Sequence, residues 1–121
     1  MTSQDHLQKH SALSEATLFI LLSLSGEPRH GYAIMKMVEE ASGSRVRIAV
    51  GSLYRIIGRL LSSNLVEEID GLDDAPRPGR RRRCYGLTAL GRAVVQAEAQ
   101  RLKDTLALAE AQNLLTASKE A

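Results

Sequence analysis

Apolar residues along this chain recur first with a helical period, then in two short extended runs, then helically again. Leu13 to Leu24 is the first block. Leu18, Leu21 and Leu22 recur at helical spacing, with Phe19 and Ile20 between them, and Ser14 can cap the run. A helix apolar nearly all round belongs at the centre of a core, and Gly26-Glu27-Pro28 stops it. A second helix is predicted from His30-Gly31-Tyr32. Ile34, Met37 and Val38 form its apolar stripe, Lys36, Glu39 and Glu40 face water, and Ser42-Gly43-Ser44 ends it. Arg45 to Ile48 is a connector.

The third helix is predicted over Val50 to Ser63. At roughly 100° per residue, Leu53, Ile56, Ile57, Leu60 and Leu61 cover one continuous face. The opposite side presents Ser52, Arg55, Arg59 and Ser62, with Tyr54 at the boundary. Leu65 to Ile69, β-branched at Val66 and Ile69, is predicted as a strand. Gly71, Pro76, Pro78 and Gly79 mark a loop. Arg81 to Leu87 is the returning strand, with Tyr85 and Leu87 facing one way. Thr88 then opens a last helix reaching about Leu115. Along it Val95, Ala99, Leu102, Leu106 and Ala109 follow the 4-3-4-3 spacing of a coiled-coil seam. The seam could be an intramolecular core stripe, but nothing else in the chain is left to cover a helix of that length, so it is expected to dimerise.

Composition sharpens this outline. The chain has 121 residues, 44% of them hydrophobic and only 3% aromatic. One domain is expected, with a core of Leu, Ile, Val and Ala. The net charge of +2 hides an asymmetry: from Arg45 to Arg92 there are ten arginines and five acidic residues, a local +5. A basic middle in a near-neutral chain points to a local anionic partner. The single cysteine, Cys84, excludes an intramolecular disulfide. It is read as a small packing residue in preference to a redox sensor whose thiol the surrounding arginines ionise. The start of the chain is polar and no apolar run is long enough to span a bilayer, so a cytoplasmic protein is expected.

Three helices followed by a basic hairpin and a final helix make a mainly α fold with a small β-hairpin: a winged helix-turn-helix plus a long C-terminal dimerisation helix. Residues 1–10 are expected to be a flexible tail, residues 11–88 the winged domain, and residues 89–121 the dimerisation helix and tail. In such a fold the third helix enters the major groove of double-stranded DNA. Arg55 and Arg59, one turn apart, suit guanine edges or phosphates, and Ser52 suits either. Arg77 and the run Arg80 to Arg83 supply the wing with charge for phosphates. Four consecutive strand residues cannot all face one way. Arg80 and Arg82 are therefore expected on DNA, the others on acidic residues or solvent. Asp73 and Asp74 would repel phosphates, so the loop tip is expected to curl away. Gly51 is read as serving backbone geometry at the helix start. Gly58 would admit DNA closely, costing about 1 kcal/mol of helix stability against Ala.

Three motifs carry a family resemblance. Gly51-Ser52-Leu53-Tyr54, followed by Leu60 and Leu65-Val66, resembles the recognition-helix signature of the PadR family of transcriptional regulators. Gly31-Tyr32 matches its glycine-tyrosine pair at the second helix. Arg82-Arg83-Cys84-Tyr85-Gly86-Leu87-Thr88-Ala89-Leu90-Gly91 matches its wing closure. The resemblance runs from about Leu13 to Val95. It implies a repressor that binds an inverted-repeat operator as a homodimer, pairs through its C-terminal helix, and leaves DNA on a ligand or stress signal. The chain is similar to the shorter subgroup with one C-terminal helix. It departs from the family pattern at Arg55, where a helix-starting residue such as Pro is common, and at Cys84, where an aromatic is usual. Tyr32 is open to two readings, a phosphate bond through its hydroxyl or packing at the start of the second helix. Tyr54, bordering the basic face, is a further DNA candidate.

No Ser/His/Asp set, metal-ligand cluster or phosphate loop is present, so no catalytic site, metal or cofactor is expected. His6 and His10 are spaced i, i+4 with no third ligand nearby. The competing reading is a winged-helix protein–protein module without DNA binding. Such modules usually lose the basic face that Ser52, Arg55 and Arg59 supply here.

Overall fold

The computed structural model describes residues 13–69 and 83–115. Helix α1 spans Glu15–Ser23, strand β1 Arg29–His30, α2 Gly31–Ala41, α3 Val50–Ser62, β2 Val66–Ile69, β3 Cys84–Leu87 and α4 Ala89–Ala111. The architecture is the mainly α, winged-helix arrangement expected, with a long C-terminal helix.

Caps fix the helix starts. The Ser14 hydroxyl accepts from the Thr17 amide at 3.1 Å, and the Thr88 hydroxyl from Gly91 at 2.9 Å. His30 caps α2 in the same way, accepting the Ala33 amide through Nδ1. Three helices end by one device, a left-handed residue followed by a bond back to the last turn. Gly43, Asn64 and Asn113 have φ near +60°, and the next residue donates to Glu39, Leu60 and Ala109 respectively. The third case stops α4 at Ala111, four residues short of the expected Leu115.

Ile20, Leu21, Ile34, Leu53, Ile57 and Leu65 are fully buried and form the centre of the core. The first helix is central as its composition predicts, although Leu22 is exposed. The α3 stripe behaves as expected: Leu53, Ile57 and Leu60 are buried, with Ile56 and Leu61 partly so.

The sheet differs from a plain hairpin. Its order is β1-β3-β2, all antiparallel, with Arg29 opposite Tyr85 and Val66 opposite Leu87. The two-residue β1 carries no periodic signal of its own. It makes β3 the central strand, so Cys84, Tyr85 and Gly86 are all buried in place of the alternation expected of Tyr85 and Leu87. Cys84 is thus a buried strand residue.

The last helix divides into two halves. Gly91, Val94, Val95 and Glu98 are buried, and every residue from Ala99 to Leu108 is exposed. Glu98, only 2% exposed, takes two bonds from Arg101: Nε to Oε1 at 2.9 Å and Nη2 to Oε2 at 2.6 Å. That pairing holds the Arg101 guanidinium above its ordinary pKa. A charge buried this deeply is tolerated only when paired.

Candidate nucleic-acid interface

Helix α3 presents its polar face outward. Arg55, Arg59 and Ser62 are exposed and Ser52 is partly so. The helix start is open as well. Its N-cap, Ala49, makes no side-chain bond, and Val50 and Gly51 are exposed. Gly51 has no left-handed φ and open space where a Cβ would stand, so the expected demand on its backbone falls away. Gly58 likewise has nothing within 4 Å of that position.

Partnering separates the arginines. Arg29 faces Glu27 and donates to the Ser23 carbonyl. Arg45 is paired with Glu15 and lies over the Phe19 ring. Arg47 faces Glu39 at 3.6 Å, Arg83 faces Glu68 at 3.4 Å, and Arg101 holds Glu98. Arg92 donates to the Ser25 carbonyl. Among the described residues, Arg55 and Arg59 are the arginines engaged by neither a carboxylate nor a carbonyl. Two guanidiniums on one exposed helical face, one turn apart and uncompensated, have the chemistry to hold an anion or a base edge.

The two tyrosines sit differently. Tyr32, near the start of α2, is exposed. Tyr54 is 48% exposed and lies across Gly31. A methyl group on Gly31 would overlap the Tyr54 hydroxyl and come within 2.8 Å of its Cζ. The glycine before Tyr32 is therefore a seat for the Tyr54 ring, joining the starts of α2 and α3. Beneath them, burial pushes the Tyr85 phenol above its ordinary pKa of 10.0; Tyr54 and Glu68 push the same way and Arg83 opposes them.

Arg83 bonded to Glu68 matches the expectation that part of the arginine run meets acidic residues. Arg77, Arg80, Arg82, Asp73, Asp74, His6 and His10 lie outside the described residues. Among the described residues no group of three or more His, Cys, Asp or Glu can hold a metal ion, and no helix is long and apolar enough to cross a membrane.

The expected seam is only partly available. Val95 is packed in the chain's own core. Ala99, Leu102 (42% exposed) and Leu106 (51% exposed) are open, and Ala109 is partly so. At roughly 100° per residue they continue the stripe of Gly91, Val95 and Glu98. One helix face thus serves the core in its first half and is uncovered by described residues in its second. Sequence spacing shows the stripe but not where its covering stops.

Comparison with known proteins gives a consistent picture. The profile of the transcriptional regulator PadR-like family matches residues 20–97. Among solved structures, a PadR family transcription regulator of Clostridium difficile superposes with a TM-score of 0.66 at 22% identity, covering 80% of this chain and 96% of that one. A PadR-like transcriptional regulator of Bacillus cereus gives 0.68 at 19% identity, covering 83% and 92%. RosR of H. salinarum gives 0.57 at 30% identity, covering 79% and 76%. Among curated sequences, an uncharacterized 37.1 kDa protein in a transposon of Streptomyces fradiae is 35% identical over 86 residues. That match covers 71% of this chain and 22% of the relative, so the chain spans about a fifth of that protein's length.

Proposed function

Because the chain belongs to the PadR-like family of transcriptional regulators, we propose that it is a sequence-specific repressor that binds an inverted-repeat operator as a homodimer. The observation that carries the reading is the uncompensated pair Arg55 and Arg59 on the exposed face of α3. In a protein whose other described arginines are engaged, these two are left for a partner. With α3 in the major groove, each is one bidentate contact from a guanine edge or a phosphate. Ser52 lies at the entering end of the same face. Tyr54 borders it, the exposed Tyr32 hydroxyl is a further phosphate donor, and Arg77, Arg80 and Arg82 of the wing supply phosphate contacts that position the complex without reading sequence.

In this account residues 11–88 form the DNA-binding unit and residues 89–121 the dimerisation segment. The uncovered stripe Ala99, Leu102, Leu106 and Ala109 supports pairing. Exposed leucines in register along a helix favour a second apolar surface, and a second copy offers an identical one. Two-fold pairing presents two α3 helices, which is why the operator is expected to be an inverted repeat. Release by a ligand or stress signal, a small-molecule effector being one form, comes from the family resemblance. As a member of a transcription-factor family the chain is assigned no reaction.

A gel-shift titration on the intergenic DNA upstream of the chain's own gene tests the reading. Salt-sensitive, sequence-selective binding is expected. Its absence favours a winged-helix module that binds protein in place of DNA.

A further inference from the structure

The end of α3 and the start of α4 meet in one joint. The turn after α3 is closed by Asn64 at φ 63°, with Leu65 N donating to the Leu60 carbonyl at 2.9 Å and Asn64 N to Leu61 at 3.1 Å. The two carbonyls that follow are both taken by a single residue 23 or 24 positions later in the chain. The Thr88 hydroxyl donates to the Asn64 carbonyl at 2.6 Å, and the Thr88 amide donates to the Leu65 carbonyl at 3.1 Å. The same hydroxyl accepts from Gly91 N and so caps α4.

Gly91 shows how close the approach is. A Cβ there would overlap the Leu65 carbonyl oxygen and stand 3.0 Å from its carbon and 3.1 Å from the Leu87 side chain. The first turn of α4 therefore rests on the backbone that leaves α3. The polarity suits the contact, because the carbonyl end of one helix meets the amide end of another. Leu65, Val94 and Val95 belong to the buried core beneath the joint, whose Thr88–Asn64 bond lies at the surface. Arg92 adds a tie from α4 to the Ser25 carbonyl just past α1, at 3.3 Å.

We propose that this joint, centred on Thr88, fixes the angle between the reading helix and the dimerisation helix, and thereby the half-site spacing that the dimer accepts. Thr88 is a positioning residue: it does not touch DNA and acts through α3. The inference rests on the dimeric, DNA-binding reading given above. A dimer gains avidity only when both reading helices engage together, and that gain collapses when their separation does not match the half-sites. A stiff connection between α3 and α4 makes the separation a property of the protein; a loose one spreads it.

The test uses the full chain and duplexes that the wild type enriches from a randomised library. These are prepared as one half-site, as both half-sites, and as both with one base pair added or removed. Thr88→Ser keeps both bonds of the hydroxyl. Thr88→Asp still caps Gly91 N but cannot donate to the Asn64 carbonyl when ionised, which separates the joint from the helix cap. All variants are expected to keep dimer mass and, within about twofold, half-site affinity, whereas Thr88→Asp loses about tenfold on the two-half-site duplex and discriminates less among spacings. Thr88→Ser should restore wild-type behaviour. If Thr88→Asp does not fold, Thr88→Ala takes its place; it removes the cap together with the joint, so a circular dichroism spectrum matching wild type is required to show that α4 still forms. An unchanged ratio of two-site to half-site affinity in the aspartate or alanine variant overturns the proposal. So does a loss of half-site binding in proportion to two-site binding. A wild-type chain that enriches no duplex, or that remains monomeric, overturns the underlying reading before any variant is compared, and the joint with it.

Discussion

Replacing Gly31 by Ala tests how the second and third helices are held together. The new methyl would overlap the Tyr54 hydroxyl and approach Cζ at 2.8 Å, with Leu53 Cδ2 at 3.4 Å. The atoms in the way are the far end of a long side chain, so the ring should swing outward and leave the backbone in place. A tyrosine side chain buries roughly 150–250 Å² when fully covered. Tyr54 is 48% exposed, so on the order of 100 Å² is at stake. At about 25 cal/mol per Å² the ceiling is about 2.5 kcal/mol. Against this, Ala in place of Gly at a helical position stabilises by up to about 1 kcal/mol. The net expectation is a loss of about 1–2 kcal/mol, or several degrees in Tm. Thermal and urea unfolding of Gly31→Ala, Tyr54→Ala and the double variant form a cycle that isolates the contact. Once the ring is gone, Gly31→Ala should become neutral or stabilising. An equal loss in both backgrounds would refute the packing account, because the cost would then lie in the backbone.

Leu102→Asp together with Leu106→Asp should yield monomers by light scattering while leaving the core intact, since both positions are exposed in the single chain; a dimer mass in that variant contradicts the seam. Tyr85 should give the protein an alkaline limit: its raised phenol pKa means the folded state keeps the proton that the unfolded chain releases near pH 10.0, so stability is intact below that pH and falls as pH rises through the raised value. Urea melts from pH 8 to 11 should show a smaller fall in Tyr85→Phe, and identical slopes would contradict the assignment.

Much of the fold is legible in the sequence because it depends on local rules. Ser14 and Thr88 cap the helices they were expected to open, and the α3 stripe of Leu53, Ile57 and Leu60 is buried as its period requires. The features that escape are those set by non-local contacts. Strand β1 is two residues long and exists through pairing with β3, and that pairing buries both Cys84 and Tyr85. Gly31 looks like half of a motif with Tyr32, but its steric demand comes from Tyr54, 23 positions away. Val95 fits the seam spacing perfectly well, yet the core claims it. Glu98 continues the same stripe; nothing in its spacing marks a buried carboxylate, although Arg101 at i+3 is the partner such a residue needs. For the polar face of α3, residue type and periodicity are enough to place Arg55 and Arg59 outside. Their distinction from the other described arginines lies in ion pairs and carbonyl bonds that form only in the folded chain.

The central claim is that the exposed face of α3 reads DNA. Its most direct test is fluorescence anisotropy of wild type, Arg55→Ala and Arg59→Ala on a duplex selected by the wild type, titrated across salt concentrations. Each arginine that holds a guanine should cost about 1–3 kcal/mol of discrimination at one base position, and each that holds a phosphate should reduce the salt slope by about 1. Melting temperatures should stay near wild type, because neither side chain supports the core. Operator affinity, selectivity and salt slope unchanged in both variants would contradict the account.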